Sequence, residues 1–316
     1  MPPALPTPPN RDDVARHSRP PHLPVLLEEV VTWLAPKPGG RYCDGTLGLG
    51  GHARAVLEQS GPDGRLIGLD RDPHALAAAG EVLQPFGDRV TLVHARFSQA
   101  REVLERLGMI PVDGFLVDLG VSSPQLDRPE RGFSFRNDGP LDMRMDPTTG
   151  ESAADLLRRV DEVELAQIIR DYGEERHASR VARAIVEARR DGELDTTGKL
   201  AAIVARAVPG REPGKNPATR TFQALRIAVN EELAELEQFL SVAADCIRPG
   251  GRLCVIAFHS LEDRIAKRRL RALAGRDGGG PAQFRILTKH VVVAGREERA
   301  RNPRARSAHL RAAERI

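Results

Sequence analysis

The stretch YCDGTLGLGGHARAVLEQ, residues 42–59, ends an apolar run at Asp44, spends four glycines between residues 45 and 51, and then enters an amphipathic segment. Glycine concentrated in this way serves a backbone that turns sharply and lets something come close to it. A dinucleotide, a phosphate and a ligand of different charge are the candidates for what the loop holds.

Working outward, RYCDG (41–45) reads as a short strand and HARAVLEQ (52–59) as a helix. GRLIGLD (64–70) is a strand of buried type, and DPHALAAAGEVL (72–83) is a helix with Asp72 placed to cap it and Pro73 in its first turn. RVTLVHA (89–95) is a strand, SQAREVLERLG (98–108) a helix opened by Ser98, and VDGFLVDLG (112–120) another buried strand. Strands alternating with helices predict an α/β fold with a parallel sheet and right-handed crossovers.

The alternation stops after residue 127. The 23 residues RPERGFSFRNDGPLDMRMDPTTG (128–150) are polar and rich in Gly and Pro, too long for a routine connection. Helical patterns follow at 152–158, 161–171, 174–190 and 196–208, and TFQALRIAVNEELAELEQFLSVAADCI (221–247) reads as one further helix. The sheet pattern resumes with RLCVIAF (252–258), then a helix, SLEDRIAKRRLRAL (260–273), and two strands, QFRILTKH (283–290) and AHLRAAERI (308–316). The expected organisation is a disordered tail at 1–21, one α/β domain in two parts at 22–127 and 221–316, and a helical insertion at 128–220.

Composition narrows the class. Apolar residues make up 41% and charged residues 29%, as in globular proteins, and no apolar run approaches the roughly 18–20 residues of a membrane span. The first 22 residues carry prolines and charges where a signal peptide needs an apolar core. Cys43, Cys246 and Cys254 have no paired spacing, so neither a disulfide framework nor a cysteine metal site is expected, and a cytoplasmic location fits. Residues 251–316 hold 16 Lys/Arg against 6 Asp/Glu, whereas residues 1–127 hold 12 against 16. Positive charge gathered at one end suggests a polyanionic partner, although 42 of the 47 basic residues are Arg and compositional bias contributes.

Asp44, Asp70 and Asp118 each end a predicted strand, and in an open parallel sheet those ends line one crevice. No Gly-Lys-Ser/Thr follows the glycines, which excludes a P-loop. GLGGHA (48–53) does satisfy the dinucleotide pattern, with Asp70 where a ribose-binding acid belongs. Asp44 opposes that reading, because a pyrophosphate there meets negative charge. S-adenosylmethionine (SAM), cationic at its amino-acid and sulfonium end, suits the loop better. At the end of the fourth strand, DLGVSSPQLD (118–127) partly matches the acceptor loop of enzymes that methylate exocyclic amines of bases. Asp118, Ser123 and carbonyls near Pro124 are its acceptors. In AFHSLEDR (257–264), His259 is a candidate proton acceptor, while Ser260 and Asp263 are placed for a capping box. ARNPRARSAHLR (300–311) has the arginine spacing of a phosphate-binding segment or of a solvated charged tail.

These motifs resemble a family. HLPVLLEEVV (22–31), DGTLGLGGH (44–52), GLDRDP (68–73), the run from Asp118 to Pro147, YGEERHASRVARAIV (172–186), NPATRTFQALRIAVNEEL (216–233), FHSLEDRIAK (258–267) and NPRARSAHLRAAER (302–315) are similar, in order, to the bacterial RsmH family, also called MraW. The resemblance implies a Rossmann-like SAM-dependent methyltransferase sheet with an inserted helical substrate-recognition domain. It implies methylation of the 4-amino group of a cytidine in the decoding region of 16S rRNA, within the small ribosomal subunit. It places Gly50, Gly51 and His52 in the cofactor loop, Asp70 at the ribose, Phe97 beside adenine, and Asp118 and Gln125 at further cofactor contacts, joined by Asp44 from the strand-end reading. HARF (94–97) departs from the small Gly-Pro element expected before Phe97. Asp118, Ser123 and His259 are the catalytic candidates; no metal and no membrane partner is expected, and a homodimer is left open. The alternatives are an NAD(P)-dependent oxidoreductase and a SAM-binding RNA-assembly protein without turnover.

Overall fold

Apolar residues along the central strands alternate between two buried faces, and this alternation organises the molecule. The computed structural model describes residues 23–210, 216–278 and 280–316, so the expected tail at 1–21 lies outside the described residues. Helix α1 (Leu27–Leu34) leads into β1 (Arg41–Asp44), α2 (Gly51–Gln59), β2 (Arg65–Asp70), α3 (Pro73–Leu83), β3 (Val90–His94), α4 (Ala100–Arg106) and β4 (Val112–Asp118). The short α5 (Ser123–Asp127) opens a connector to the helices α6 (Ala153–Arg159), α7 (Glu162–Gly173), α8 (Ala178–Arg190) and α9 (Thr197–Ala207). Then come α10 (Thr219–Asn230), α11 (Glu232–Cys246), β5 (Ile247–Ala257), α12 (Ser260–Leu273), β6 (Phe284–Ile286), α13 (Arg296–Arg301) and β7 (His309–Arg315).

Among the described residues, seven strands form one sheet in the order β3-β2-β1-β4-β5-β7-β6. The first five run parallel, and β7 pairs antiparallel with both β5 and β6. This is a doubly wound sheet closed by a hairpin, and its order reverses beside β1, where such sheets bind ligands. Cys43, Ile67, Leu69, Phe115, Val117, Leu253 and Val255 face one side, against Val103 and Leu104 of α4, Leu236, Phe239 and Leu240 of α11, and Leu270 of α12. Tyr42, Leu66, Leu116, Cys254 and Ile256 face the other, against Val30 and Leu34 of α1, Val56 and Leu57 of α2, and Leu83 of α3. Each fully buried Leu or Phe contributes about 1.5–3 kcal/mol relative to exposure. That explains why both faces of these strands are apolar.

A separate apolar cluster, from Phe133 to Leu225, joins the connector to α6–α9 and the first half of α10. Helix α10 therefore spans the sequence boundary at 220: Phe222 and Leu225 pack into the helical unit, and Arg226 turns towards the sheet's end. The helix expected at 221–247 is two helices. Glu231 adopts a left-handed conformation (φ 54°) that ends α10 and starts α11, a bend that no glycine or proline announces.

Candidate active site

A cavity of about 290 Å³ opens where β1, β2 and β4 end. Its floor is the glycine loop, held by the Asp44 and Asp70 side chains and by the backbone N–H of Asp118. Asp44 Oδ1 accepts the Thr46 N–H (3.1 Å), and Thr46 Oγ1 accepts the Asp118 N–H (2.5 Å). Asp70 Oδ2 accepts the Gly48 N–H and Oδ1 the Asp72 N–H, both at 2.8 Å. Gly50 is left-handed (φ 80°), and a Cβ on Gly51 would lie 2.3 Å from Pro24 Cγ. Both positions therefore demand glycine. Helix α3 starts as the sequence predicts, with Asp72 accepting from the His74 N–H and Pro73 at the first position.

Burial separates the three aspartates from ordinary carboxylates. It pushes Asp44 up to about 7, with the Thr46 N–H opposing and the charge of Asp70 adding. It pushes Asp70 up to about 6, against the stabilising N–H groups of Asp72 and Gly48. Asp118 is raised well above the carboxylate range by burial and then by the charges of Asp44 and Glu262. Its Oδ1 is buried without a hydrogen-bond partner, although 24% of its side chain is exposed and it lines the cavity. Of the three, Asp70 and Asp118 line the cavity, and carboxyls that ionise reluctantly there suit positive charge or hydrogen-bond donors from a ligand.

Asp70, Asp118, Gly51, His52, Phe97 and Gln125 all line this one cavity, whereas Asp44, Gly50, Ser123 and His259 do not. Asp44 and Gly50 shape the loop from behind it. His52 has Nε2 2.9 Å from the Val25 carbonyl and Nδ1 3.8 Å from Asp118 Oδ2. Gln125 has its polar atoms committed: Oε1 accepts the Ser122 N–H (2.9 Å), and Nε2 donates to Asp72 Oδ2 (2.9 Å). Phe97 stacks edge-on against Phe239 at 5.5 Å. It is Ser122, the residue before Ser123, that reaches the wall. His259 is the N-cap of α12, with Glu262 completing the capping box, so the box lies one residue before the predicted Ser260–Asp263 pair. His259 lines a second cavity, with Ser260, Glu174 and Arg220.

The far wall was not predicted: Arg71, Arg226, Glu232, Glu235 and Glu262 line the same cavity. Arg226 donates from Nε and Nη2 to the two oxygens of Glu232, both at 2.8 Å. Arg71 donates to Glu235 Oε2 (3.2 Å) and to the Asn230 carbonyl (2.9 Å). A usable signal was present, since Arg226 follows Leu225 on the buried side of an amphipathic helix, where an arginine must meet an acid. Glu232, His259 and Glu262 bring one ligand atom each within 4.8 Å of one another. Arg226 already supplies the cation at Glu232, which speaks against a metal there.

The site fits SAM. Asp118 lines the cavity and its carboxyl suits a cationic end, Asp70 retains lone pairs for hydroxyls, and Leu47, Ala75 and Phe97 give an apolar wall. Among curated relatives, ribosomal RNA small subunit methyltransferase H of Nitratidesulfovibrio vulgaris (strain DP4) is 56% identical, covering 93% of this chain and 95% of its own. Relatives of the same name from Trichlorobacter lovleyi (53%) and Geobacter sulfurreducens (54%) each cover 93% of this chain, and 98% and 99% of their own lengths. With a sequence profile matching residues 19–316, the chain belongs to the MraW methylase family.

Proposed function

We propose that this protein transfers a methyl group from SAM to the 4-amino group of a cytidine in the decoding region of 16S rRNA, in the small ribosomal subunit and in the cytoplasm. The observation that carries this reading is the cavity at the strand ends, which Asp70 and Asp118 line together with the glycine loop. Bound SAM supplies an electrophilic methyl group. Asp70 accepts from the ribose hydroxyls, Gly51 and His52 border the ligand, Phe97 lies beside adenine, and Asp118 meets the positive end. Asp44, Gly50 and Gln125 act by holding the loop and the 122–125 turn in place. The target amine has its lone pair delocalised into the ring, so the protein's task is to align it and accept its N–H bonds. In this reading Asp118 and Ser122, both on the cavity wall, accept them, and Ser123 stands behind Ser122.

The helical unit at 128–220 and the basic end at 251–316 form the RNA grip in this reading. A paired cytosine hides its amino group, so the target is single-stranded or extruded. Phosphate contacts make binding fall steeply with salt. Among the described residues, no helix is long and apolar enough to cross a membrane. A homodimer remains a secondary part of the reading, for sedimentation to decide. The first experiment is labelled methyl transfer from SAM to small-subunit RNA, alongside calorimetry with SAM and NAD. Transfer with SAM binding supports the proposal; NAD binding without SAM binding refutes it. SAM binding without transfer favours an assembly protein.

A further inference from the structure

We propose that Glu262 accepts an N–H of the target 4-amino group and takes the proton this group sheds, while Arg226 reads the ring edge beside it. The inference rests on the cytidine reading above and adds a wall that the sequence motifs did not assign. Glu262 lines the cavity but is only 2% exposed, so it meets the interior of the site and little else. Its Oε2 accepts the Phe258 N–H (2.8 Å) and the His259 N–H (3.3 Å), and its Oε1 lies 3.1 Å from His259 Nε2. The carboxylate is thus fixed in orientation before any ligand arrives.

Charged groups reach Glu262 from every element packed around it: Asp118 at the end of β4, Arg226 of α10, Glu232 of α11 and His259 at the cap of α12. Burial pushes its carboxyl up, but His259, Arg226 and the Phe258 N–H outweigh burial and hold it below the usual range. Asp118, on the same cavity, is pushed the other way. Two carboxyls driven apart in this manner divide the work: one stays ionised and can receive a proton.

The pair also matches one base. Cytosine presents an N–H donor at its 4-position and acceptors at N3 and O2, and uracil reverses the first two. A carboxylate beside a guanidinium is complementary to cytosine and repels the uracil 4-oxygen. Glu232 holds Arg226 by Nε and Nη2, which fixes the plane of its guanidinium at the cavity wall. In the chemical step, the nitrogen lone pair forms the new N–C bond while the former S–C pair stays on sulfur. An N–H bond then breaks with its electron pair kept by nitrogen. The proton passes to the Glu262 carboxylate and on to water as product leaves. His259, outside the cavity, is a positioning residue for Glu262.

The test is Glu262→Gln, which keeps an acceptor for the Phe258 and His259 N–H groups. Two oligonucleotides copying the RNA around the methylated position, one with cytidine and one with uridine there, are bound without SAM. Wild type should prefer cytidine by roughly tenfold or more, and the variant should lose most of that preference. Its SAM affinity should stay within about twofold, while its single-turnover rate falls about a hundredfold and loses its decline at acid pH. A folded variant that retains both preference and rate overturns the inference. Should it fail to fold, Arg226→Lys takes its place, and an unchanged base preference there overturns the inference equally. A wild type that transfers no methyl group to small-subunit RNA overturns the function beneath it, and the inference with it.

Discussion

Replacing Asp72 with alanine perturbs one carboxylate that joins three parts of the molecule. Asp72 is 2% exposed, and its Oδ1 caps α3 through the His74 N–H at 3.0 Å. Its Oδ2 receives Gln125 Nε2 at 2.9 Å and Arg131 Nη1 at 2.8 Å. Arg131 is itself buried, with Nη2 donating to the carbonyls of Arg144 (3.0 Å) and Met145 (2.8 Å), so it cannot swing out to water without breaking the connector. Loss of a helix cap costs about 1 kcal/mol. Leaving a buried charge without its partner costs about 3–5 kcal/mol, and this term dominates. Chemical denaturation followed by circular dichroism should show Asp72→Ala destabilised by about 3–5 kcal/mol. SAM affinity should fall as well, because Gln125 loses its tether beside the cavity. Asp72→Asn, which keeps the cap and one acceptor, should lose less. A loss below about 1 kcal/mol in Asp72→Ala would refute the claim that this ion pair is buried and uncompensated.

Asp70→Ala should weaken SAM binding by roughly 1.5–3 kcal/mol, since a charged acceptor is removed from the ribose position; calorimetry on a folded variant that binds within about twofold of wild type would refute the assignment. Asp44 ionises near 3.8 when unfolded and near 7 in the fold, so its contribution is complete below pH 3.8 and is lost as pH rises to about 7. Asp44→Asn, which can still accept the Thr46 N–H, should therefore gain stability over wild type at pH 8, by at most about 4 kcal/mol, and little at pH 4. Thermal melts across that range check this, and a variant gain that is largest at pH 4 would reverse the sign.

The sheet was legible because its strands are buried on both faces and end in aspartate: RLIGLD and VDGFLVD leave little else to be. The pattern could not show that β7 would insert antiparallel between β5 and β6, since strand order depends on contacts far apart in the chain. The break at Glu231 was invisible for a different reason. The helical period of apolar residues continues through NEEL, and only tertiary packing holds a glutamate in the left-handed region. Within the site, strand ends and glycines pointed to Asp70, Asp118 and the loop. In AFHSLEDR the sequence makes His259 the candidate proton acceptor, with Ser260 and Asp263 as the capping pair. In the structure His259 caps α12 and lines the second cavity, and Glu262 lines the first. The helix starts at Ser260 as expected, and only its capping box is offset by one residue.

The most direct test is to identify the methylated nucleoside. Unmodified small subunits are reacted for a single turnover with labelled SAM, and their RNA is digested and resolved by chromatography and mass spectrometry. The account predicts one cytidine carrying the methyl on its 4-amino nitrogen, and a rate at least about a hundredfold lower from Asp118→Ala at saturating SAM. A methyl group on a ring carbon or a ribose oxygen, or an undiminished rate from Asp118→Ala, would contradict it.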